Sequence, residues 1–347
     1  MKVCFASYQS LMMLRGGPRT QIFQTKLELE KLGVRVSLFD PWKEFHAKDF
    51  DLVHIFSANM GTYHLARVLH LSGVPTVVTP IFLTRHSNRY VRSIVSADKV
   101  IRRYIRGHWT DFGMIAEMCR WAGAVLPNTA DEAALVEEGF GVPRERISIV
   151  PNGVEKRFAK ANPALFRRKM GIERFVLSVG HIGPERKNVR RLLQALEGVN
   201  HQAVVIGRIE HSAEAEECLA LARRNPRVIV LDSLPHDSPL LASAYAACDA
   251  FVLPSLFETP GIAALEAALA GARVVITDRG GTKDYFGEQA DYVDPYSVES
   301  IRGGIVTALG KPRTPALRRH IEKNFLWSGV ARKTKAAYER ALSSPSR

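Results

Sequence analysis

The sequence predicts an α/β protein of two successive domains, each built on a doubly wound parallel sheet. Three observations lead to this prediction. Short apolar, β-branched segments alternate with segments of helical periodicity along the whole chain, which is typical of parallel sheets covered by helices. The turn-forming segment Pro151-Asn152-Gly153 lies between two well-patterned halves. With 347 residues, each half is long enough to bury a core of its own.

The first half contains six predicted strands and two clear predicted helices. The strands are residues 3–7, 34–39, 52–56, 76–79, 124–127 and 147–150, and the helices are residues 20–32 and 62–72. Gly33 and Gly73 directly follow the two helices, where a left-handed residue commonly ends a helix. A long helix-rich insertion is expected over residues 85–120.

The second half repeats the alternation. Its predicted strands are residues 175–179, 203–206, 228–231, 250–253, 274–277 and 292–293, and its predicted helices are about 188–197, 213–224, 238–247, 260–270 and 297–309. In doubly wound sheets ligands bind outside the carboxyl ends of the strands. Two such domains can present these ends to each other across a cleft, which is the expected place for a ligand.

Charge is the unusual bulk property, because the net charge is +13. Residues 85–106 hold seven Lys or Arg against one acid, and residues 310–347 hold ten against two. The remainder of the chain is close to neutral, so a specific anionic partner is favoured over general binding to nucleic acid. Stacking aromatics interleaved with the basic residues are missing, which also disfavours a nucleic-acid partner.

Cysteine usage and hydropathy indicate the compartment. The four cysteines are Cys4, Cys119, Cys218 and Cys248. They are widely separated and form no CxxC pair, which favours buried free thiols in a reducing cytoplasm. No apolar run is long enough for a transmembrane helix, and the amino terminus turns polar too early for a signal peptide.

The first chemical motif follows the predicted strand 250–253 and reads Pro254-Ser255-Leu256-Phe257-Glu258-Thr259-Pro260-Gly261-Ile262. Pro260 suits the first position of a helix, and the amides of Gly261 and Ile262 are then free donors at its positive end, where a diphosphate could bind. Glu258 and Glu266 flank this helix start. Glu266 lies among apolar residues, where a carboxylate needs a partner. The alternative is that Glu258 is an ordinary acid near a helix start and Glu266 is solvated.

Two further loops carry features of a binding site. His181-Ile182-Gly183-Pro184-Glu185-Arg186-Lys187 joins a predicted strand to a predicted helix, and Arg186 with Lys187 suits phosphate oxygens. A solvated basic pair is the alternative. The loop Arg15-Gly16-Gly17-Pro18-Arg19 permits close approach of its backbone to a ligand, although such a loop is more often a simple turn. No GxGxxG is present, so a nicotinamide enzyme is disfavoured.

Together these elements resemble the GT4 family of retaining glycosyltransferases (glycosyl transferases group 1) over almost the whole chain. Glu258 and Glu266 match the EX7E motif of the family, and Pro151-Asn152-Gly153-Val154 matches its interdomain PNGV segment. The segment 280–284 is similar to the GGxxE loop, with Asp284 in place of Glu. Four motifs in the right order and at the right separations are specific.

The resemblance implies a GT-B fold: an acceptor-binding domain over residues 1–151, a domain for the nucleotide-sugar donor over 152–326, and a final helix over about 327–347 that packs back on the first domain. It implies roles for matching positions. Lys187, with Arg186 beside it, would neutralise the donor diphosphate. Glu258 would lie near the transferred sugar and Glu266 at the ribose.

Further donor contacts are implied around these residues. The amides of Gly261 and Ile262 would lie near the phosphate or sugar, and Gly16 and Gly17 near the diphosphate. His181 and the loop with Ser233 and Leu234 would complete the donor site. Family members work with retention and generally without a metal, so neither a metal nor another cofactor is expected. Phosphate stabilisation by Lys, Arg and a helix dipole is consistent with that.

Two departures from the family pattern concern the acceptor side. His181 stands where many members have Arg, so a titratable group replaces a permanent charge. Many members also have a catalytic His after the fourth strand of the first domain, where this chain reads Pro80-Ile81-Phe82 and the nearest histidine is His86.

The expected activity is transfer of a hexose from a GDP- or UDP-sugar to a glycan or lipid-linked acceptor, in the setting of bacterial cell-surface polysaccharide synthesis. A nucleotide-sugar epimerase of the same fold, or an inactive nucleotide-sugar-binding relative, is the alternative. If the last helix packs on the first domain, both basic windows could lie there and touch an anionic membrane, making the protein peripheral at the inner face of the cell membrane. An ordinary basic surface is the other interpretation.

Overall fold

The computed structural model describes residues 1–13, 16–105 and 107–343. The chain divides into two compact units. The N-terminal unit comprises Met1–Gly153 and the chain from Trp327 onward, and the C-terminal unit comprises Val154–Leu326. Within the described ranges, no helix is both long and apolar enough to cross a membrane.

The regular elements are given in chain order. The strands are β1 (Lys2–Ala6), β2 (Arg35–Leu38), β3 (Leu52–Phe56), β4 (Thr76–Thr79), β5 (Ala124–Val125), β6 (Phe175–Val179), β7 (Gln202–Ile206), β8 (Val228–Leu231), β9 (Ala250–Leu253), β10 (Arg273–Thr277) and β11 (Asp291–Val293). The helices are α1 (Gly17–Lys31), α2 (Met60–Leu71), α3 (Asn88–Tyr104), α4 (Asp111–Trp121), α5 (Ala130–Ala134), α6 (Ala164–Met170), α7 (Val189–Glu197), α8 (Ala213–Arg224), α9 (Pro239–Ala247), α10 (Ile262–Leu269), α11 (Thr282–Phe286), α12 (Val298–Gly310), α13 (Ala316–Asn324) and α14 (Trp327–Ser343).

Each unit is a parallel sheet surrounded by helices. The N-terminal sheet has the order β2-β1-β3-β4-β5, and the C-terminal sheet has the order β11-β10-β9-β6-β7-β8. All the strand pairs in both sheets are parallel. This confirms the predicted fold class of two doubly wound, Rossmann-like domains.

The predicted insertion and helix ends agree with the structure. Two helices, α3 (Asn88–Tyr104) and α4 (Asp111–Trp121), make up most of the described part of this region. Gly33 and Gly73 have φ of +76° and +67°, the left-handed conformation expected after a helix. The four cysteines are buried.

One predicted strand is wrong. Residues 147–150 run beside β5, but only Ile147 forms a bridge, with Val125. The amides of Ser148 and Val150 donate to the carbonyls of Val125 and Pro127. The return bond of a parallel ladder would need an amide hydrogen at Pro127, which proline does not have. The ladder therefore ends after a single bridge.

The last helix, α14, belongs to the core of the N-terminal unit. Trp327 and Tyr338 are buried in the same apolar cluster as strands β1 and β3. The Tyr338 hydroxyl lies 2.6 Å from Nδ1 of His54, whose Nε2 lies 2.8 Å from Oγ1 of Thr79. Burial lowers the pKa of His54 to about 3, so this histidine is a neutral link between β3, β4 and α14.

The second basic window is divided between the units, contrary to the expectation that both windows lie on one domain. The unit boundary falls between Leu326 and Trp327, inside this window. Five of its ten basic residues belong to the C-terminal unit: Lys311, Arg313, Arg318, Arg319 and Lys323. The first window lies entirely in the N-terminal unit, although Arg106 is outside the described residues.

The order of the C-terminal sheet has a switch point between β6 and β9. The chain goes from β6 outward through β7 to β8, then returns to the other side of β6 with β9. Loops that leave the carboxyl ends of two such strands diverge and create a crevice. Four loops at this edge are named here by the strand they follow: the β6 loop (residues 180–188), the β8 loop (232–238), the β9 loop (254–261) and the β10 loop (278–281).

Candidate active site

The helix after the β9 loop begins later than the sequence predicted. Helix α10 starts at Ile262, with Gly261 as its N-cap, so Pro260 lies in the loop and not at the first helical position. Gly261 has φ of +68°, a conformation outside the helical region and unfavourable for residues with a side chain. In the described residues, no hydrogen bond is made by the amides of Gly261 and Ile262. They remain available donors at the positive end of α10.

Glu258 lies in the β9 loop with two cations beside it. Its side chain is 9% exposed, and its Oε1 lies 2.6 Å from Nζ of Lys187 and 3.4 Å from Nη1 of Arg186. Burial alone would raise the pKa of Glu258, but the charges of Lys187 and Arg186 outweigh it and hold this pKa below its ordinary value. The carboxylate is therefore ionised at neutral pH. Lys187 and Arg186, 20% and 44% exposed, are the solvent-facing members of the cluster.

The backbone of Glu258 is held by the β10 loop. Its amide donates to the carbonyl of Arg279 at 3.2 Å, and its carbonyl accepts from the amide of Gly281 at 3.0 Å. Gly280 lies against it with φ of +89°, and a Cβ atom there would lie 2.2 Å from the Glu258 carbonyl oxygen. Close approach of the two loops therefore requires glycine at position 280. This explains the first half of the Gly280-Gly281 motif.

Asn188 fixes the basic end of the β6 loop. It is 2% exposed and has φ of +56°. Its Nδ2 donates to the carbonyls of Pro254 at 2.8 Å and Pro295 at 2.7 Å. The amide of Leu256 also donates to the carbonyl of Arg186 at 2.8 Å. These bonds join the loops on the two sides of the switch point, so Arg186 and Lys187 are presented by a fixed backbone.

Glu266 has the partner that its apolar neighbours require. It is 4% exposed, and its Oε1 lies 2.7 Å from Nε2 of His236 in the β8 loop. The fully buried Tyr245 of α9 has its pKa raised well above the ordinary value, first by burial and then by the charge and hydrogen bond of Glu266. The alternative that Glu266 is merely solvated is wrong, because protein groups enclose the carboxylate.

The other predicted donor residues lie in loops of the same sheet edge. Nδ1 of His181, in the β6 loop, lies 3.3 Å from Oε1 of Glu210. Ser233 and Leu234 share the β8 loop with His236, and the Ser233 amide donates to Asp232 at 2.6 Å. Thus the structure brings Arg186 and Lys187 directly to Glu258, and brings the β8 loop directly to Glu266.

The predicted glycine loop of the N-terminal unit precedes α1. Gly16 is the N-cap of this helix and Gly17 is its first residue. Arg15 lies outside the described residues. The loop follows β1. The chain continues from β1 to β2 on one side and then returns to β3 on the other side, so this sheet has a switch point between β1 and β3.

Glu132 is a buried carboxylate in the N-terminal unit at the loop where the expected histidine is missing. Its Oε1 accepts from the amide of Phe82 at 2.8 Å, and its Oε2 accepts from the amide of Asn128 at 2.6 Å. Nε2 of Gln21 donates to Oδ1 of Asn128 at 2.9 Å. Ile81, in the same loop, has φ of +52°, a strained conformation for a β-branched residue.

Four residues with these connecting roles were not singled out from the sequence: His236, Tyr245, Asn188 and Glu132. Asn188 directly follows the Arg186-Lys187 pair, and a residue that tolerates a positive φ at a helix start was a usable signal. Glu132 follows Thr129 by three positions, the spacing of a capping box. Nothing in the local sequence of His236 or Tyr245 indicates that they reach Glu266.

Two family models match the chain in succession. "Glycosyltransferase Family 4" matches residues 31–158, and "Glycosyl transferases group 1" matches residues 166–325. The two matches follow the order of the two units. The chain belongs to the GT4-type, group 1 glycosyltransferases.

Curated relatives agree with this membership. A glycosyltransferase of Methanocaldococcus jannaschii is 26% identical over 223 residues, which is 58% of this chain and 56% of that protein. The MMP alpha-(1->4)-mannosyltransferase of Mycolicibacterium hassiacum is 25% identical over 354 residues, which is 94% of this chain and 82% of that protein. The match thus spans just over half of the archaeal relative and most of the mycobacterial one.

Solved structures show the same fold at low identity. The sucrose-phosphate synthase of Thermosynechococcus elongatus has a TM-score of 0.73 and 18% identity, covering 97% of this chain and 98% of that one. HepE of Anabaena, in complex with UDP and glucose, has a TM-score of 0.69 and 17% identity, covering 97% and 98%. The fold is therefore GT-B.

Proposed function

We propose that this protein transfers a hexose from a UDP- or GDP-sugar to a glycan or lipid-linked acceptor, with retention of anomeric configuration. The main support is the ion-pair cluster of Lys187, Arg186 and Glu258 at the switch point of the C-terminal sheet, beside the free amides at the start of α10. The relationship to HepE, solved with UDP and glucose, supports a nucleotide-sugar donor.

The diphosphate binds where positive charge is concentrated. Lys187 and Arg186 supply two cations, and the amides of Gly261 and Ile262 supply donors at the positive end of α10. As the bond between the anomeric carbon and the phosphate oxygen breaks, negative charge grows on the leaving diphosphate. Fixed cations and amides stabilise that charge more strongly than they stabilise the ground state. These groups can neutralise the leaving group without a metal ion, so we propose a metal-independent reaction.

The two glutamates have different tasks in this proposal. Glu258 keeps Lys187 in place through its 2.6 Å contact and lies near the sugar, where its negative charge favours the positive charge that develops on the ring. Glu266, eight positions later, accepts from the ribose hydroxyls. The acceptor hydroxyl oxygen bonds to the anomeric carbon on the face that the diphosphate leaves, and its proton goes to the departing phosphate.

Activity is tested by incubating the protein with UDP-, GDP- and ADP-sugars and measuring nucleoside-diphosphate release with and without glycan or lipid-linked acceptors. Lys187→Ala should weaken nucleoside-diphosphate binding by on the order of 10- to 100-fold, because it removes a charge-assisted contact. Lys169→Ala, a change of an exposed lysine of the same unit, is the matched control and should bind normally.

The same assay separates the alternatives. A same-fold epimerase would interconvert the donor sugars without glycosylating an acceptor. A binding protein without activity would bind a nucleotide sugar and release nothing with any acceptor. Either result would contradict the proposed transfer.

For the acceptor side, we propose that α3 and its flanking residues contact an anionic membrane surface. The exposed basic residues of this region make no ion pairs with other described residues: Arg85, Arg89, Arg92, Lys99 and Arg103. Tyr104 and Ile105, at the end of the helix, are 83% and 58% exposed. A basic face with exposed apolar residues beside it suits anionic headgroups, and salt should weaken the attraction.

Flotation with phosphatidylcholine vesicles, with or without phosphatidylglycerol, tests the membrane proposal. Binding should require phosphatidylglycerol, fall with added salt and be lost in the variant Arg89→Glu/Arg92→Glu/Arg103→Glu. The variant Arg332→Glu/Lys333→Glu, on α14 of the same unit, is the control for a loss of positive charge elsewhere on that unit. Equal loss in both variants, or no flotation at low salt, would overturn it.

A further inference from the structure

The carboxylate of Glu266 is held by a side chain of the β8 loop and influences a buried tyrosine of α9. Nε2 of His236, in the β8 loop, lies 2.7 Å from Oε1, and the carboxylate raises the pKa of the buried Tyr245 of α9. The side chain of His236 is 44% exposed, whereas Tyr245 is 1% exposed. His236 is therefore the member of this group that lies on the solvent side of Glu266.

The position of His236 is itself fixed by three neighbours. Nη2 of Arg157 donates to its carbonyl oxygen at 2.6 Å, and Nδ1 lies 3.5 Å from Oε1 of Glu155. The ring meets Phe158 edge to face, with centroids 6.0 Å apart. A loop residue held through its backbone, its second ring nitrogen and its ring face has few alternative rotamers, so its contact with Glu266 is pre-organised.

We propose that His236 is a positioning residue for the ribose site: it fixes the carboxylate of Glu266 in the orientation that accepts the ribose hydroxyls of the donor. This deepens the proposed function and rests on its assignment of Glu266 to the ribose. His236 holds Glu266 as a donor and need not itself touch the nucleotide.

The geometry of a carboxylate explains the need for such a residue. An ionised carboxylate offers about four acceptor positions. The contact from His236 occupies one of them and restrains rotation of the group, so the remaining positions keep fixed directions for two vicinal hydroxyls. A carboxylate free to rotate would have to be ordered when the nucleotide binds, at a cost in affinity.

Electrostatics support the contact. The hydrogen bond to Glu266 raises the pKa of His236, with Glu266 and Glu155 adding negative charge, while burial and Arg157 act against the shift. Nε2 faces the carboxylate in either charge state, since a neutral imidazole with its proton on Nε2 also donates to Oε1. The positioning role therefore holds across neutral pH.

The test measures how much the ribose hydroxyls contribute to binding. Dissociation constants of UDP, GDP and ADP are compared by calorimetry with those of their 2′,3′-dideoxy counterparts, and the pair with the tightest ribonucleotide is used. In the wild-type protein the dideoxy form should bind more weakly by on the order of tenfold, because a charged acceptor loses its hydroxyl partners. In His236→Leu the ratio of the dideoxynucleotide dissociation constant to the ribonucleotide dissociation constant should fall toward one.

Two variants show whether the effect is specific. His236→Gln keeps an amide donor and should retain most of the wild-type ratio. His201 makes a similar contact, because its Nε2 lies 3.0 Å from Oδ2 of Asp249, but it precedes β7 at the opposite edge of the sheet. His201→Leu should leave the ratio unchanged. A general loss of structure would weaken both nucleotides equally and would not change the ratio.

The outcomes separate this inference from the function on which it rests. A ratio above one in the wild type that is unchanged in His236→Leu overturns the positioning role alone. A ratio of one in the wild type overturns the assignment of Glu266 to the ribose, and absence of binding by all three nucleotides overturns the donor proposal itself.

Discussion

Nζ of Lys187 lies 2.6 Å from Oε1 of Glu258, and the two residues come from loops on opposite sides of the switch point in the C-terminal sheet. The buried carboxylate thus holds the lysine that we propose to bind the diphosphate. A cation needed for phosphate is thereby positioned before the donor arrives, at the cost of partial neutralisation by Glu258.

Glu258→Gln should separate turnover from affinity. The change removes a negative charge near the proposed sugar position, and kcat should fall by on the order of 100-fold or more. Nucleoside-diphosphate affinity should stay the same or increase, because Lys187 and Arg186 lose a competing carboxylate. Steady-state kinetics and calorimetry measure the two effects.

A surface ion pair of the same unit provides the control for Glu258→Gln. Glu217 pairs with Arg190 at 3.4 Å, and Glu217→Gln should leave both kcat and affinity unchanged. Retention of wild-type kcat by Glu258→Gln would contradict the role of this carboxylate in turnover.

Gly280→Ala should disturb the site through the backbone. The added Cβ would lie 2.2 Å from the Glu258 carbonyl oxygen, and φ of +89° is unfavourable for alanine. We expect loss of about 1–3 kcal/mol of unfolding free energy and reduced kcat, since the β9 loop must move. Gly303→Ala, in α12 with no atom within 4 Å of a new Cβ, is the control in urea unfolding and in the activity assay. Equal stability of both variants would show that the loops have room to separate.

Glu132 should make stability depend on pH. Burial raises its pKa to about 7, against the lowering effect of the amide hydrogen bonds from Phe82 and Asn128. The folded state then holds the proton more tightly than the unfolded state does. The contribution of Glu132 to the unfolding free energy is therefore largest below the unfolded pKa near 4.5 and declines as pH rises to about 7.

Glu132→Gln should remove this dependence. Relative to the wild type, the variant should gain up to about 3 kcal/mol of unfolding free energy between pH 4.5 and 7. The glutamine side chain does not titrate, so any cost of placing its amide beside two amide donors is the same at every pH. This cost shifts the whole curve of unfolding free energy against pH and does not change its slope. Urea unfolding across this range makes the measurement, and parallel curves for the two proteins would refute the assignment.

Tyr338→Phe should weaken the attachment of α14. It leaves Nδ1 of the buried His54 without its partner, at a cost of about 1–3 kcal/mol. His54→Phe in the same background should cost less than it does alone, because the polar atom that loses its partner is gone. Urea unfolding of the two single variants and the double variant measures the coupling, and additive effects would argue against a significant bond.

The sequence predicted the strands of the C-terminal sheet because each contains a short, mostly apolar run between turn signals. The strand at 147–150 failed for a reason outside the segment: Pro127, two residues after the neighbouring strand β5, cannot donate the return hydrogen bond. The start of α10 was also misplaced, since Pro260 fits a first helical position, whereas the left-handed Gly261 delays the helix to Ile262.

Arg186 and Lys187 were predictable as site residues because they are adjacent in the sequence and both carry the positive charge that phosphate binding needs. Contacts between distant segments were not. His236 reaches Glu266 across 30 positions, and the link depends on the path of the β8 loop, which no local pattern specifies. The division of the second basic window follows from the expected boundary at residue 327, because residues 310–326 of this window precede the helix that returns to the N-terminal unit.

The return of α14 to the N-terminal unit has a consequence for biosynthesis. The C-terminal unit is one uninterrupted stretch of chain, whereas the N-terminal unit needs both the beginning and the end of the sequence. During translation the segment through Leu326 is synthesised before the tyrosine that bonds His54. The first unit to be started is therefore the last to be completed, and until then its sheet lacks the apolar cover that Trp327 and Tyr338 provide.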